Sequence, residues 1–317
     1  MLTVLSLTIP FFAIILTGAI GRKRGMFTSE AGRIMAKFAF FIALPPMLFL
    51  KVSEAPVSEL LTFGFVIRYE LATILIFCSG ALIGGYLFKL TSTERAIFGL
   101  NGAYSNYGYI GLPLAFMAFG DAAAVPSALI LLADSIILVV LTAIFAALST
   151  DGEAKQDFVS SLKSTLLSLS RNPLLLSVVA GFLFALSGLS LPVIPERIFQ
   201  MLAGAAAPTA LFALGISLAG ERLSESRNEV MFLSLFKLIL FPVLVAGLFL
   251  LWPDKGLDPV WVQVAILASC LPIAANVFAM AEFYNAYSGR TATAIMLSTL
   301  CASVTVPLVL YLLFEML

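Results

Sequence analysis

Two stretches of this chain place helix breakers and hydrogen-bonding side chains inside otherwise apolar sequence. The first is Asn101-Gly102-Ala103-Tyr104-Ser105-Asn106-Tyr107-Gly108-Tyr109-Ile110-Gly111-Leu112-Pro113, and the second is Ser269-Cys270-Leu271-Pro272-Ile273-Ala274-Ala275-Asn276. Pro113 and Pro272 lack the N–H that a continuing helix needs and clash with the preceding turn. Gly108 and Gly111 allow the backbone between them to unwind. Each break creates a half-helix N-terminus with about half a positive charge and unpaired N–H donors, a setting that suits an anion such as a carboxylate. Asn106 and Asn276 add amide groups, and Tyr107 and Ser269 add hydroxyls. The expected substrate contacts are Asn106, Tyr107, Gly111, Pro113, Ser269, Pro272 and Asn276.

Two charges belong to the same chemistry. Asp134 lies nine residues into an apolar segment, about 13 Å deep at 1.5 Å per residue. An ionisable group at that depth is costly and points by default to an ion or proton pathway. Lys237, about 10 Å into its own segment, is a counter-charge for Asp134 or substrate, unless its long stem snorkels to the surface. Asp134 and Lys237 are the candidate coupling residues, while Arg68 and Glu70 are expected at a membrane interface. No charge falls between Ala96 and Gly120 or between Val260 and Ala281, so helix dipoles and amides, and no salt bridge, are expected to hold an anion at the breaks.

Several functions are excluded by what the chain lacks. It has no histidine, which removes histidine triads, histidine zinc sites and histidine proton relays. Cys78, Cys270 and Cys301 sit singly in apolar runs and read as small core residues. No GxSG surrounds a buried serine, and no second mid-membrane aspartate makes a catalytic dyad. An enzyme is not expected, and neither is a metal or cofactor.

The elements that position these residues are membrane helices. With glycine counted in place of tyrosine, about 65% of the 317 residues are apolar, against roughly 45–50% in soluble domains. Charged residues make up 11%, and the net charge of zero argues against a nucleic-acid partner. A window of about 20 residues finds apolar spans at 2–21, 31–51, 63–88, 95–119, 125–149, 173–191, 197–219, 230–252, 260–284 and 291–314. The first span ends in Arg22, Lys23 and Arg24 without a cleavage site and reads as a retained helix. Thirteen Lys and Arg flank the odd connections, from Arg22 to Arg290, against four (Lys51, Arg68, Arg197 and Lys255) at the even ones. This places the odd loops in the cytoplasm of a bacterial-type inner membrane and both termini outside.

The expected fold is an all-α membrane protein of ten spans in two inverted five-helix repeats: 1–149, a cytoplasmic linker with a surface helix at 150–172, and 173–317. Pro10 to Gly18 matches Pro173 to Gly181, and Pro45-x-x-Leu48-Phe49 matches Pro208-x-x-Leu211-Phe212, each pair 163 residues apart. The same offset sets Pro113 opposite Asn276. An odd number of spans per half makes the copies antiparallel, the plan of many secondary transporters.

At Asn106, Gly111 and Pro113, and again at Leu271, Pro272, Phe278 and Tyr284, the chain resembles the auxin efflux carrier family, whose plant members are the PIN-type auxin exporters. The resemblance implies a fold within the superfamily of bile-acid, arsenite and riboflavin-type transporters. In that fold, unwound helices four and nine cross at mid-membrane beside the substrate, with a scaffold from helices one, two, six and seven and a transport part from helices three to five and eight to ten. It also implies homodimers and carboxylate substrates, among them malonate, malate and auxin-like acids. Where plant carriers have a second proline in the ninth helix, this chain has Asn276 and Val277. The functional expectation is a secondary transporter of small organic anions, working by alternating access among membrane lipid and coupled to a proton or sodium. The alternative is a sodium or other cation/proton antiporter of related fold using Asp134; a channel or an anion sensor would share the same site.

Overall fold

The computed structural model describes residues 2–56, 59, 62–147, 167, 170–219, 227–254 and 256–316. All named elements among these residues are helices, with no strand beyond a single isolated bridge. Most of the expected linker, including Lys155 and Lys163, lies outside the described residues. In chain order the helices are α1 (Leu2–Lys23), α2 (Ser29–Ser53), α3 (Phe63–Leu87), α4 (Ser92–Ala103), α5 (Leu112–Phe119) and α6 (Ala124–Ala147). They continue with α7 (Pro173–Ser187), α8 (Val193–Leu218) and α9, which runs from Arg227–Leu235 through Phe236–Leu240 into Phe241–Leu251. The last are α10 (Pro259–Ser269), α11 (Asn276–Phe283) and α12 (Ser288–Met316).

Among the described residues, six stretches are long and apolar enough to cross a membrane: Ser29–Ser53, Phe63–Leu87, Tyr107–Phe145, Val193–Leu218, Asn228–Leu251 and Ser288–Glu315. Ten spans were expected, and local chemistry explains part of the difference. The fourth and ninth segments are cut into short helices by their breaks. The sixth stops at Ser187, where Gly188 takes a left-handed φ of 65°, the usual glycine end of a helix.

Helix starts follow capping rules. The Thr91 hydroxyl and the Glu94 carboxylate cap α4 reciprocally. Asn172 and Asp258 accept the N–H groups of Leu174 and Val260, with Pro173 and Pro259 at the first helical position. Three single π-turns, at Ala39–Ala43, Tyr107–Gly111 and Phe236–Leu240, share one cause. Each is followed, after one intervening residue, by a proline: Pro45, Pro113 or Pro242. The wider turn absorbs the hydrogen bond that proline cannot make.

Small residues set the packing of α1, α2, α7 and α8. α1 lies against α8, and the second part of α2 lies against α7. A Cβ added at Gly18 would come within 3.0 Å of the Phe212 carbonyl oxygen, and one at Gly181 would meet the Phe49 carbonyl at 3.0 Å. Gly18 and Gly181, like Phe49 and Phe212, are 163 residues apart, so the two contacts are copies of one arrangement. Around the opposite group, α3 packs on α4, α6 and α9, and α9 packs on α12. The starts of α4, α9 and α12 are tied by Arg290, which lies 3.7 Å from Glu94 and 3.5 Å from Glu229, and by the Tyr287 hydroxyl donating to Glu229. At the far end of α2, Lys51 pairs with Asp121, just beyond α5, at 2.6 Å.

Candidate functional site

The helical ladder opens twice, and the two openings repair each other. α4 ends at Ala103 and Tyr104 turns to an extended conformation, with φ −81° and ψ 109°. α10 ends at Ser269, and the chain from Cys270 to Ala275 is irregular until α11 begins. The Asn106 N–H donates to the Pro272 carbonyl at 2.8 Å, and the Ala274 N–H donates to the Tyr104 carbonyl at 3.0 Å. Ser105 and Ile273 thereby form an isolated antiparallel bridge. The Ile273 N–H donates to the Ser298 hydroxyl of α12 at 3.2 Å. Backbone groups freed in an apolar interior cost several kcal/mol each if left alone, and this exchange removes most of that cost. The bridge joins residues 168 apart, five more than the sequence offset, so the breaks do not follow the register that set Pro113 opposite Asn276.

A buried ammonium pins the junction. Lys237 in the π-turn of α9 is completely buried. Its Nζ donates to Ser105 Oγ at 2.7 Å in the first break and to the Ser269 carbonyl at 2.8 Å at the end of α10, and it lies 4.5 Å from the centre of the Phe241 ring. A cation at a helix C-terminus is favoured by the helix dipole. Lys237 therefore does not snorkel. Asp134 of α6 is also buried: Thr73 Oγ1 donates to its Oδ1 at 3.4 Å, while Oδ2 has no hydrogen-bond partner.

Beside the junction lies a cavity of about 30 Å³, lined among others by Tyr104, Ser105, Asn106, Tyr107, Asp134 and Asn276, room for a couple of water molecules. Phe40, Tyr104, Ser135, Asn172 and Asn276 also line a wider vestibule of about 690 Å³ bordered by Arg171, Met280 and Phe283, a volume typical of small-molecule sites. The buried Asn106 amide nitrogen has no partner. The N–H groups of Ala275 and Asn276 find no acceptor among the described residues. The cavity thus offers unpaired donors from a side chain and from a helix start, facing one unpaired carboxylate oxygen.

Of the residues singled out by sequence, Asn106, Tyr107, Asn276 and Asp134 come together on the cavity wall. Tyr107 is committed elsewhere through its hydroxyl, 2.7 Å from Ser127 Oγ. Gly111, Pro113, Ser269 and Pro272 lie behind the wall and build it. Gly111 leaves space for the Tyr107 ring and Leu271, and Pro113 begins α5. Ser269 and Pro272 contribute carbonyl acceptors. Sequence reasoning missed Tyr104, whose hydroxyl faces Ser135 and Asn276, and Asn172, which caps α7 from the end of the expected linker. Glu70, expected at a membrane interface, is covered by neighbouring helices: it is 4% exposed, and neither carboxylate oxygen has a partner. Arg68, also buried, pairs with the half-exposed Asp254 at 3.3 Å. The third span carries both residues near its start, where hydropathy reads them as an edge, but α9 and α6 cover them.

The family described as "Membrane transport protein" matches residues 3–310. The chain belongs to this family, that of the auxin efflux carriers. It is 34% identical to a Rhizobium meliloti protein named "Putative malonate transporter", over 98% of this chain and 96% of that one. It is 26% identical to the Escherichia coli K12 "Uncharacterized transporter YfdV", covering 96% and 95% of the two chains. An uncharacterized transporter of Methanocaldococcus jannaschii is 24% identical, covering 90% and 91%. Membership in a membrane transport family agrees with the six apolar helices and with the sequence expectation of a transporter.

Proposed function

We infer that the protein is a secondary active transporter of small carboxylates, malonate-like acids first among them, which bind at the junction of the two breaks and cross by alternating access. The observation that carries this reading is the mutual hydrogen bonding of the breaks beside a cavity with unpaired donors at Asn106, Ala275 and Asn276. The relative named for malonate sets the substrate class to test. A carboxylate oxygen accepting from the Asn106 amide and the start of α11 meets dipoles and amides without a fixed countercharge, which favours release as well as capture.

In this reading the chain makes ten spans in two inverted repeats, 1–149 and 173–317. α1, α2, α7 and α8 form the scaffold, and the remaining helices form the moving part. The duplicated Gly18 and Gly181 contacts support the repeat. The vestibule opens beside Leu167 and Arg171, which the distribution of Lys and Arg assigns to the cytoplasm, so this is the inward-facing state of an inner-membrane protein with external termini. Asp134 and Lys237 are the coupling residues, and homodimers follow the family resemblance.

The test is uptake of radiolabelled malonate, malate and monocarboxylates into vesicles containing the purified protein. Saturable uptake that falls in Asn106→Ala and Asn276→Ala supports the reading. Absence of uptake for the whole panel, in both directions of gradient, overturns it. Sodium flux without anion flux would establish the cation antiporter instead.

A further inference from the structure

Behind Asp134, away from the cavity, stands a second carboxylate that the transport reading does not use. Glu70 on α3 and Asp134 on α6 are 4% and 2% exposed. Three of their four oxygens have no hydrogen-bond partner, and the fourth receives only the 3.4 Å contact from Thr73. Thr73 follows Glu70 by three positions, so both project from one face of α3, and the contact of Thr73 with Asp134 sets the two carboxyl groups on the same side of that helix. The wholly buried Tyr69 hydroxyl faces Asp134 and Ser105 but makes no hydrogen bond of normal geometry.

The surrounding charges do not balance the pair. Lys237 on α9 is the cation that acts on Asp134, and its ammonium already donates to Ser105 and Ser269. Arg68 turns to Asp254, with its guanidinium over Trp252. The other titratable groups nearby, Tyr104 and Tyr107 at the first break and Cys270 at the second, carry no positive charge. Two bare carboxylates facing one committed ammonium leave an uncompensated negative charge in a buried site, which is strongly unfavourable. One proton removes that charge and supplies a donor to oxygens that have none.

We propose that Glu70 and Asp134 form a proton-binding site in which Glu70 stores the proton and Asp134, on the cavity wall, passes it to and from the substrate path. The step is a plain proton transfer. The proton leaves a Glu70 carboxyl oxygen for Asp134 Oδ2, and from there goes to water or to a substrate carboxylate in the cavity, leaving Glu70 ionised. An arriving anion next to Asp134 is accommodated when that proton is present, so proton and anion occupancy rise together. This deepens the transporter reading and rests on it for the coupling, while the proton site itself is measurable without transport.

The first measurement is infrared difference spectroscopy of the purified full-length protein across a pH titration. A carboxylic-acid carbonyl band at neutral pH, lost in alkali and weakened in both Glu70→Gln and Asp134→Asn, is expected. A wild-type protein without such a band, or a band unchanged in both variants, overturns the proposal. The wild-type spectrum decides even if a variant fails to fold. The second measurement uses vesicles loaded with a pH-sensitive dye and given a malonate gradient. Wild type is expected to move protons with malonate. Glu70→Gln, which keeps the shape and removes the ionisable group, is expected to lower the number of protons moved per malonate taken up severalfold. Unchanged proton movement in Glu70→Gln, or malonate uptake in wild type driven by sodium with no proton movement, overturns it. If wild type moves no carboxylate, the transport reading fails and the infrared band still decides the proton site.

Discussion

Replacing Asn106 with alanine separates binding from folding, because the buried Nδ2 of this side chain has no partner in the protein. An unsatisfied buried donor costs roughly 1–3 kcal/mol, so its removal offsets the packing lost on truncation, and fold stability should stay within about 1 kcal/mol of wild type. Binding should respond differently. A hydrogen bond to a charged group is worth about 1.5–3 kcal/mol, which at about 1.4 kcal/mol per tenfold weakens the carboxylate Kd by roughly ten- to 150-fold. Ligand at 100 Kd stabilises a protein by about 2.7 kcal/mol, and after a hundredfold loss the same concentration leaves only about 0.4 kcal/mol. Thermal unfolding of both proteins, with and without malonate, reads both quantities in one series. Wild type should shift upward with malonate, and Asn106→Ala should start near the wild-type midpoint and barely shift. An unliganded midpoint well below wild type with an unchanged malonate shift would refute the reasoning, since Asn106 would then be structural.

Lys237→Met removes two charge-assisted hydrogen bonds to the breaks and should lower stability by about 3 kcal/mol; adding Asp134→Asn, which neutralises the abandoned carboxylate, should recover part of that loss in thermal unfolding. Gly18→Ala and Gly215→Ala each drive a methyl into the backbone carbonyl of a neighbouring helix and should cost roughly 1–3 kcal/mol or more. Gly204→Ala on the same α8 meets nothing within 4 Å and should be neutral or stabilising by about 0.5–1 kcal/mol, so the three midpoints together test the close approach. Arg171→Glu at the vestibule rim should slow malonate uptake at low ionic strength. That difference should shrink as salt shortens the Debye length to about 10 Å at 0.1 M.

Much of the site was legible because it breaks rules that apolar helices otherwise obey. Pro272 lies in the second irregular segment as expected, whereas the first break falls at Tyr104 to Asn106 and Gly108, Gly111 and Pro113 stay helical in the π-turn and α5 that follow it; Asn106, Asn276 and Asp134 have no bland place in a lipid-facing run. Gly18 and Gly181, which share the 163-residue offset, are both glycines at close helix contacts. Less legible were groups whose roles depend on partners far away in sequence. Lys237 meets Ser105 across 132 positions, and nothing near Lys237 distinguishes that from snorkelling. Glu70 sits close enough to a span end to pass as an edge residue, and only the cover from α6 and α9 makes it interior. Asn172 falls at the end of a segment whose composition suggests a linker, although the Asn-Pro start of α7 carries a cap signal. The register between the breaks was also missed, since the bridge depends on how two irregular segments meet and not on the repeat.

The three π-turns have a consequence for how this chain tolerates change. A π-turn amounts to one residue added to a helix, and each residue accounts for about 100° of rotation. The wide turn spends that extra residue locally, so α5 keeps the face, Leu112 and Ala115 included, that it buries. Deleting one residue from Tyr107–Gly111 would leave that face in place but return Pro113 to a tight ladder, where its ring clashes with the preceding turn. The same holds at Pro45 and Pro242. A length difference of one between relatives at these three places would mark the gain or loss of a π-turn and not a trimmed loop.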